Sequence, residues 1–395
     1  MKLTVALLVC WSILLFLPSF AQQRGRDAER VNQAAGLPLL PPAGEWSGKV
    51  FEKRLKQYGL FFQGDKTRRS VYLENRKIFN VPATELVMIC DPDGLVTQLD
   101  IVFFNKGDSA RSRSLRKDIR RSGASLKQLL KSLMGNPRDE KFGPAGLQMV
   151  VPAWTCGKVR FLLETRYKEY TIIHVCYREE SPKKPRKREL RIRGDQFFDN
   201  VRTSEFGDVY LENIPMVDQG EKGYCVPATF ERVLRYFGIK NVNLHQLADA
   251  ADTDRGGTSF DSMIGSTARL RRSYGLRVHS CGEIKIETLK NYIGQGFPVM
   301  WGLYINPAFL KLLDESRKHR PRNSSPRPWL QSLRKYKLPQ RGEGHMCLIV
   351  GFNEETDEIA VSNSWGDKEG IPAWIPLKLA SRVSMRTTFV LVPGK

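Results

Sequence analysis

Apolar residues recur along this chain with two different periods, and the places where the period changes divide it into elements. Glu85-Leu86-Val87-Met88-Ile89-Cys90 and Val96 to Phe104 are strand-like, and the turn signal Asp91-Pro92-Asp93-Gly94 between them predicts a hairpin. Phe51 to Tyr58 and Ser125 to Met134 carry helical spacing, and Val159 to Leu163 with Tyr170 to Tyr177 predict a second strand pair. Together they predict an α+β domain over residues 45–180. It contains no chemical motif, and His174, inside an alternating apolar run, reads as a satisfied core residue.

The pattern breaks at Ser181 to Arg193, where prolines and positive charge predict a linker over residues 181–207. The following domain, residues 208–395, puts helices first. Val226, Phe230, Val233, Leu234 and Phe237 share one face of a helix over Val226 to Phe237, with Gly238 as its stop and Pro227 tolerated in the first turn. A second helix spans Leu244 to Ala250 with Asn243 as cap, and a third Phe260 to Tyr274, capped by Thr258 or Ser259 and stopped by Gly275. Strands are expected at Phe297 to Leu303, His345 to Gly351, Glu358 to Val361, Ala373 to Pro376 and Thr388 to Val392. The order is again α+β: a helical part, then an antiparallel sheet. Between Asn306 and Arg341 a basic, proline-containing insertion shows no regular element and reads as a surface loop or a flap.

Composition adds little to the fold and more to the setting. With 395 residues, 41% apolar and 27% charged, the chain has the composition of ordinary globular domains and room for two cores. Met1-Lys2, the apolar run Leu3 to Phe20 and the small residue Ala21 have the parts of a signal peptide over residues 1–21, which predicts a secreted or periplasmic protein with no membrane anchor after cleavage. Residues 22–44, polar and then proline-rich, read as an unpacked leader. Cys90, Cys156, Cys176, Cys225, Cys281 and Cys347 remain, with Cys156–Cys176 the expected pair and no spacing that suits zinc. The formal charge of +21 lies in clusters at Arg111 to Arg121, Lys183 to Arg188 and Lys311 to Arg341. These are solvated blocks or attract an anionic surface or polymer; without interleaved aromatics they do not predict a specific nucleic-acid site.

Three short signatures carry the chemistry: Gln219-Gly220-Glu221-Lys222-Gly223-Tyr224-Cys225, Gly344-His345-Met346-Cys347 and Asn363-Ser364-Trp365-Gly366. Cys225 falls at a helix start, where unpaired amides and the positive dipole end favour a thiolate. Gln219 approaches it through glycines that let the loop turn an amide N–H toward a developing oxyanion. His345 opens an apolar strand, with Cys347 on the same face, and Asn363 follows the next strand, so antiparallel neighbours bring an amide oxygen to an imidazole. Trp365 is placed either to shield that bond or to pack at an edge.

In this order the residues resemble the papain-like cysteine peptidase fold. Ile214-Pro215-Met216-Val217-Asp218-Gln219 through Cys225, with Phe297-Pro298-Val299, is more similar to the bacterial branch of bacteriocin-processing, double-glycine peptidase-like enzymes, over about residues 208–393. Tyr224-Cys225-Val226-Pro227 departs from the small-Cys-aromatic sequence of plant and lysosomal papains, and Asn363 stands where many of the bacterial branch have aspartate. The resemblance implies a thiol peptidase acting on a peptide or protein substrate without metal or cofactor. Its catalytic set is Cys225, His345, Asn363 and Gln219. The alternatives are a non-catalytic binding or inhibitory module on the same fold, and an amidase or acyl transferase using the same Cys–His pair.

Overall fold

A computed structural model of the chain describes residues 20–40, 47–107, 115–177, 191–220, 223–254, 256–320, 324–333 and 336–394. Residues 1–19 of the expected signal peptide, residues 41–46, the Lys183 to Arg188 cluster and part of each of the other two basic clusters lie outside the described residues. The architecture is α+β, with two antiparallel sheets of eight and eight strands, each the floor of one domain.

The N-terminal sheet runs, edge to edge, through Gln63–Gly64, Arg68–Tyr72, Glu85–Cys90, Val96–Asn105, Tyr170–Cys176, Val159–Arg166, Met149–Cys156 and Arg138–Phe142. Alternation explains its two faces. Leu86, Met88, Leu99, Ile101, Phe103, Phe161, Leu163, Ile173 and Val175 point one way and close a core with the helices Gly48–Lys56 and Leu115–Met134. The opposite positions carry Arg68, Glu85, Asp100, Glu164 and His174, and these are buried too: Arg68, Glu85 and Glu164 meet Glu231, His245 and Gln246 of the C-terminal domain, and the Phe142 ring lies 4.4 Å from that of His174. His174 is the satisfied core residue the alternation predicts: its ring nitrogens meet Asp100 Oδ1 at 2.7 Å and Glu164 Oε2 at 3.0 Å. Burial opposes its charge, but the two carboxylates prevail and raise it to about 9.

Several expectations are revised here. The leader is not unpacked: Phe20–Ala35 is a helix, and Val31, Ala35, Leu37, Leu39 and Leu40 enter the N-terminal core. Its apolar positions are too widely spaced among polar residues to register as a helix face. Cys156 and Cys176 are both free thiols, on strands separated by Val159–Arg166 and on opposite faces of the sheet. The described part of the linker, residues 191–207, belongs to the second domain: a 3-10 turn over Asp195–Asn200 seats Phe197, and Val201–Thr203 pairs with Asp208–Leu211.

The C-terminal sheet runs Val201–Thr203, Asp208–Leu211, Glu343–Asn353, Val299–Ile305, Ser384–Pro393, Leu276–Ser280, with Glu358–Ser362 also paired to Glu343–Asn353 and Ala373–Pro376 paired in turn to Glu358–Ser362. The helix Cys225–Tyr236 lies across it and is buried at every position. Asn243 caps Leu244–Ala250 through a bond to Gln246 N, and Ser259 caps Phe260–Ser266. The expected long third helix breaks at Thr267, and Ala268–Ser273 continues it. The insertion is helical: Pro307–His319, capped by Asn306, buries Phe309, Leu312 and Leu313, and Arg327–Ser332 buries Trp329. Prolines at helix starts, where no N–H is needed, disguised both segments as loop. His245, on the helix Leu244–Ala250, is buried against Glu85 Oε2 at 3.5 Å, and His319 ends the helix Pro307–His319.

Candidate active site

The nucleophile candidate occupies the first residue of the buried helix Cys225–Tyr236. Its thiol receives the backbone amides of Met346, Val226 and Cys225 itself, which favour the anion, but burial is the larger influence and raises the thiol above its ordinary value. Thr229, one turn along, donates to Met346 O at 3.1 Å, so the helix start is bolted to the strand that carries His345. Cys347 lies deeper on that strand, and burial pushes its thiol strongly up.

His345 pairs with Leu303 across the sheet, while the neighbouring strand Glu358–Ser362 ends where Asn363 begins. His345 Nε2 and Asn363 Oδ1 are 2.6 Å apart. An amide oxygen only accepts, and Asn363 Oδ1 also takes Ser364 N–H at 2.9 Å, so Nε2 donates and Nδ1 carries the lone pair. Trp365 stacks on the imidazole, ring centroids 4.4 Å apart at 23°. Burial lowers His345 to about 4, with the Asn363 bond opposing only in part.

Gln219 is fixed by the same segment. Its N–H donates to Ser364 O at 2.9 Å, and Ser364 Oγ donates to its Oε1 at 2.7 Å. The amide oxygen is thereby committed, and Nε2 is the end turned away from Ser364. Gly220 follows at φ +65°, a conformation glycine adopts without strain, and its N–H donates to Asp218 Oδ1 at 2.8 Å. Glu221 and Lys222 lie outside the described residues. Cys225, His345, Asn363 and Gln219 are all buried, at 9%, 6%, 2% and 4% exposure, so the site is shielded from water. A buried thiol at a helix start, an imidazole held by Asn363 with its lone pair on Nδ1, and an amide fixed by Ser364 are the groups that acyl transfer from a carbonyl to sulphur uses.

Arg232 belongs to this construction and is invisible in the signatures. Its Nε donates to Pro215 O at 2.8 Å, Nη1 to Ser362 O at 3.2 Å and Asn363 O at 2.9 Å, and Nη2 to Ser362 Oγ at 2.6 Å. One cation thus ties the approach to Gln219 to the segment bearing Asn363. The only trace in sequence is the charged set Glu231, Arg232 and Arg235 inside an otherwise apolar helix. A separate groove of about 950 Å³, lined by Arg193, Arg277, His279 and Tyr292 among others, includes none of the four candidate residues.

Residues 211–378 match the model of the Peptidase_C39 like family. No curated protein matches the chain. Among solved structures, the chain is similar to the peptidase domain of Streptococcus ComA, a bi-functional ABC transporter involved in a quorum sensing pathway, at 13% identity over 46% of this chain and 99% of that one, TM-score 0.30. A C39-like peptidase from Bacillus anthracis matches at 13% identity over 47% and 97%, TM-score 0.31. Xylellain, a cysteine protease from Xylella fastidiosa, matches at 14% over 51% and 89%, TM-score 0.27. The C-terminal domain carries the papain-like fold, and the family match supports a papain-like cysteine peptidase.

Proposed function

We propose that the chain is an exported cysteine peptidase in which Cys225 is the nucleophile, His345 the general base and acid, Asn363 the orienter of the ring and Gln219 an oxyanion donor. The observation that carries this reading is the single segment Asn363-Ser364-Trp365, which holds the imidazole through Asn363 and the Gln219 amide through Ser364.

In the first step His345 Nδ1 takes the thiol proton as the sulphur attacks the scissile carbonyl carbon. Burial disfavours either charge alone, so proton transfer accompanies bond formation. The carbonyl oxygen becomes an oxyanion facing Gln219 Nε2 and the Cys225 backbone amide, a donor of this kind contributing about 3 kcal/mol. The C–N bond then breaks, the imidazolium gives its proton to the leaving amine, and a thioester remains. Water, deprotonated by His345, cleaves it to a carboxylic acid and restores the thiol.

The test is alkylation of Cys225 by iodoacetamide, followed by mass spectrometry, with peptide turnover in parallel. His345→Ala should slow both, and Cys225→Ser should abolish both; parent-like alkylation at Cys225 without His345 would sink the assignment. An added amine should leave the product a free acid, since a new amide would mean acyl transfer instead. Export is read from the apolar run Leu3 to Phe20, and N-terminal sequencing of secreted material should begin at Gln22.

A further inference from the structure

The N-terminal domain touches the loop that carries Gln219 and Cys225 at its beginning, middle and end. At the beginning, Asp65 Oδ2 accepts Met216 N–H at 2.9 Å, while its Oδ1 is held by Thr67 N, Thr67 Oγ1 and Arg68 N at 2.7–2.9 Å. In the middle, the Tyr72 ring stands over Gly220, so close that a β-carbon built there would lie 2.5 Å from the phenol oxygen. At the end, the hydroxyl of Tyr224, the residue before the nucleophile, donates to Glu169 and accepts Gly107 N–H at 3.0 Å. Asp65, Tyr72, Gly107 and Glu169 all come from the first domain.

The surrounding contact is of a kind that does not come apart easily. Arg68 lies 3.4 Å from Glu231 on the nucleophile helix, Glu231 also pairs with Arg235 at 2.5 Å, and all three are nearly inaccessible. Gln246 Nε2 donates to Glu164 at 3.2 Å, Arg166 meets Asp249 at 3.4 Å, and Lys106 donates to Thr253 O. Gly146, at φ +94°, lets the two backbones meet where a β-carbon would be 2.5 Å from Leu270 N. Separating the domains would return Glu231 to water without the Arg68 charge and strip the loop of its three holds.

We infer that the N-terminal domain is a permanent second lobe of the catalytic unit, in which Asp65 and Glu169 are positioning residues that hold the Met216–Cys225 loop in its reactive geometry. It is therefore neither a removable inhibitory segment nor an independent recruiting module. This rests on the peptidase reading, but its structural content can be tested without turnover.

The experiment uses the full chain with a protease site introduced at residues 181–190, and the variants Asp65→Ala, Tyr224→Phe, Glu169→Ala and Glu169→Gln. After cutting, the two pieces should co-elute in gel filtration with turnover per Cys225 unchanged. Separation with a rise in turnover would overturn the inference. Asp65→Ala, Tyr224→Phe and Glu169→Ala should lower kcat at least tenfold with KM unchanged. Glu169→Gln, which still offers an acceptor to Tyr224, should recover most of the loss caused by Glu169→Ala. Amide hydrogen exchange in residues 216–220 and 223–225 should quicken at least tenfold in Asp65→Ala and Tyr224→Phe while the Val299–Ile305 strand keeps its protection; unchanged exchange in the loop would refute it. A parent chain without turnover, but with these exchange changes, would count against the peptidase reading alone.

Discussion

Replacing Arg232 by methionine tests whether one buried cation holds the site together. The guanidinium is 1% exposed, and burial lowers it to about 10, which corresponds to about 3 kcal/mol against keeping the charge. Four bonds act in its favour, to Pro215 O, Ser362 O, Asn363 O and Ser362 Oγ. Hydrogen bonds to a charged donor contribute about 1.5–3 kcal/mol each, so their sum outweighs the burial cost about twofold or more. Methionine keeps the packing of the stem but leaves the acceptors without a donor, and the expected loss after relaxation is about 3–5 kcal/mol. Urea unfolding followed by tryptophan fluorescence reads that loss. Because Asn363 O is one of the acceptors, alkylation of Cys225 in the still-folded variant should also slow. A loss under about 1 kcal/mol would show that water replaces the cation at little cost, and the argument from buried carbonyls would fail. Parent-like alkylation would show that Arg232 does not position Asn363.

Three further outcomes follow from the geometry. With His345 lowered to about 4, the imidazole stays neutral through the weakly acidic range, so kcat/KM should hold as pH falls and drop only through about pH 4; an acid limb near the free imidazole value would contradict the buried ring. Gln219→Ala should reduce kcat by about 10²–10³ with little change in KM, read from steady-state kinetics, and a purely KM effect would remove Gln219 from the oxyanion site. His174 is raised from 6.5 to about 9, so its contribution to stability is fully present below 6.5 and is lost as pH rises through about 9. The difference is worth about 3 kcal/mol. Urea midpoints measured across that window should fall in the parent and fall less in His174→Asn.

The spacing of apolar residues determined most of the local structure, because an element's own sequence sets its period and its ends. Glu85–Cys90 and Ala373–Pro376 run between the residues expected, and Leu244–Ala250 starts at its expected Asn243 cap. The candidate site was legible for the same reason: a loop into a helix and two adjacent strands each present one candidate residue at an element's edge, and the order of Gln219, Cys225, His345 and Asn363 survives in the linear text. What the sequence could not disclose were residues acting at long range. Arg232 looks like a misplaced charge until Pro215, Ser362 and Asn363 surround it. Asp65 looks like a loop carboxylate until Met216 arrives from 151 positions away.

The first domain shows the division most clearly. On the N-terminal sheet Arg68, Glu85, Asp100, Glu164 and His174 share one face, and the aliphatic core of the domain lies on the other. A charged face is ordinarily the solvent face, and nothing in the strand pattern says otherwise. Only the tertiary structure decided that this face is covered by the helices of the second domain, where Arg68 finds Glu231, Glu85 finds His245 and Glu164 finds Gln246. The physical reason is that a strand's own residues fix which side a group points to, whereas the partner that makes burying a charge tolerable comes from elsewhere in the chain.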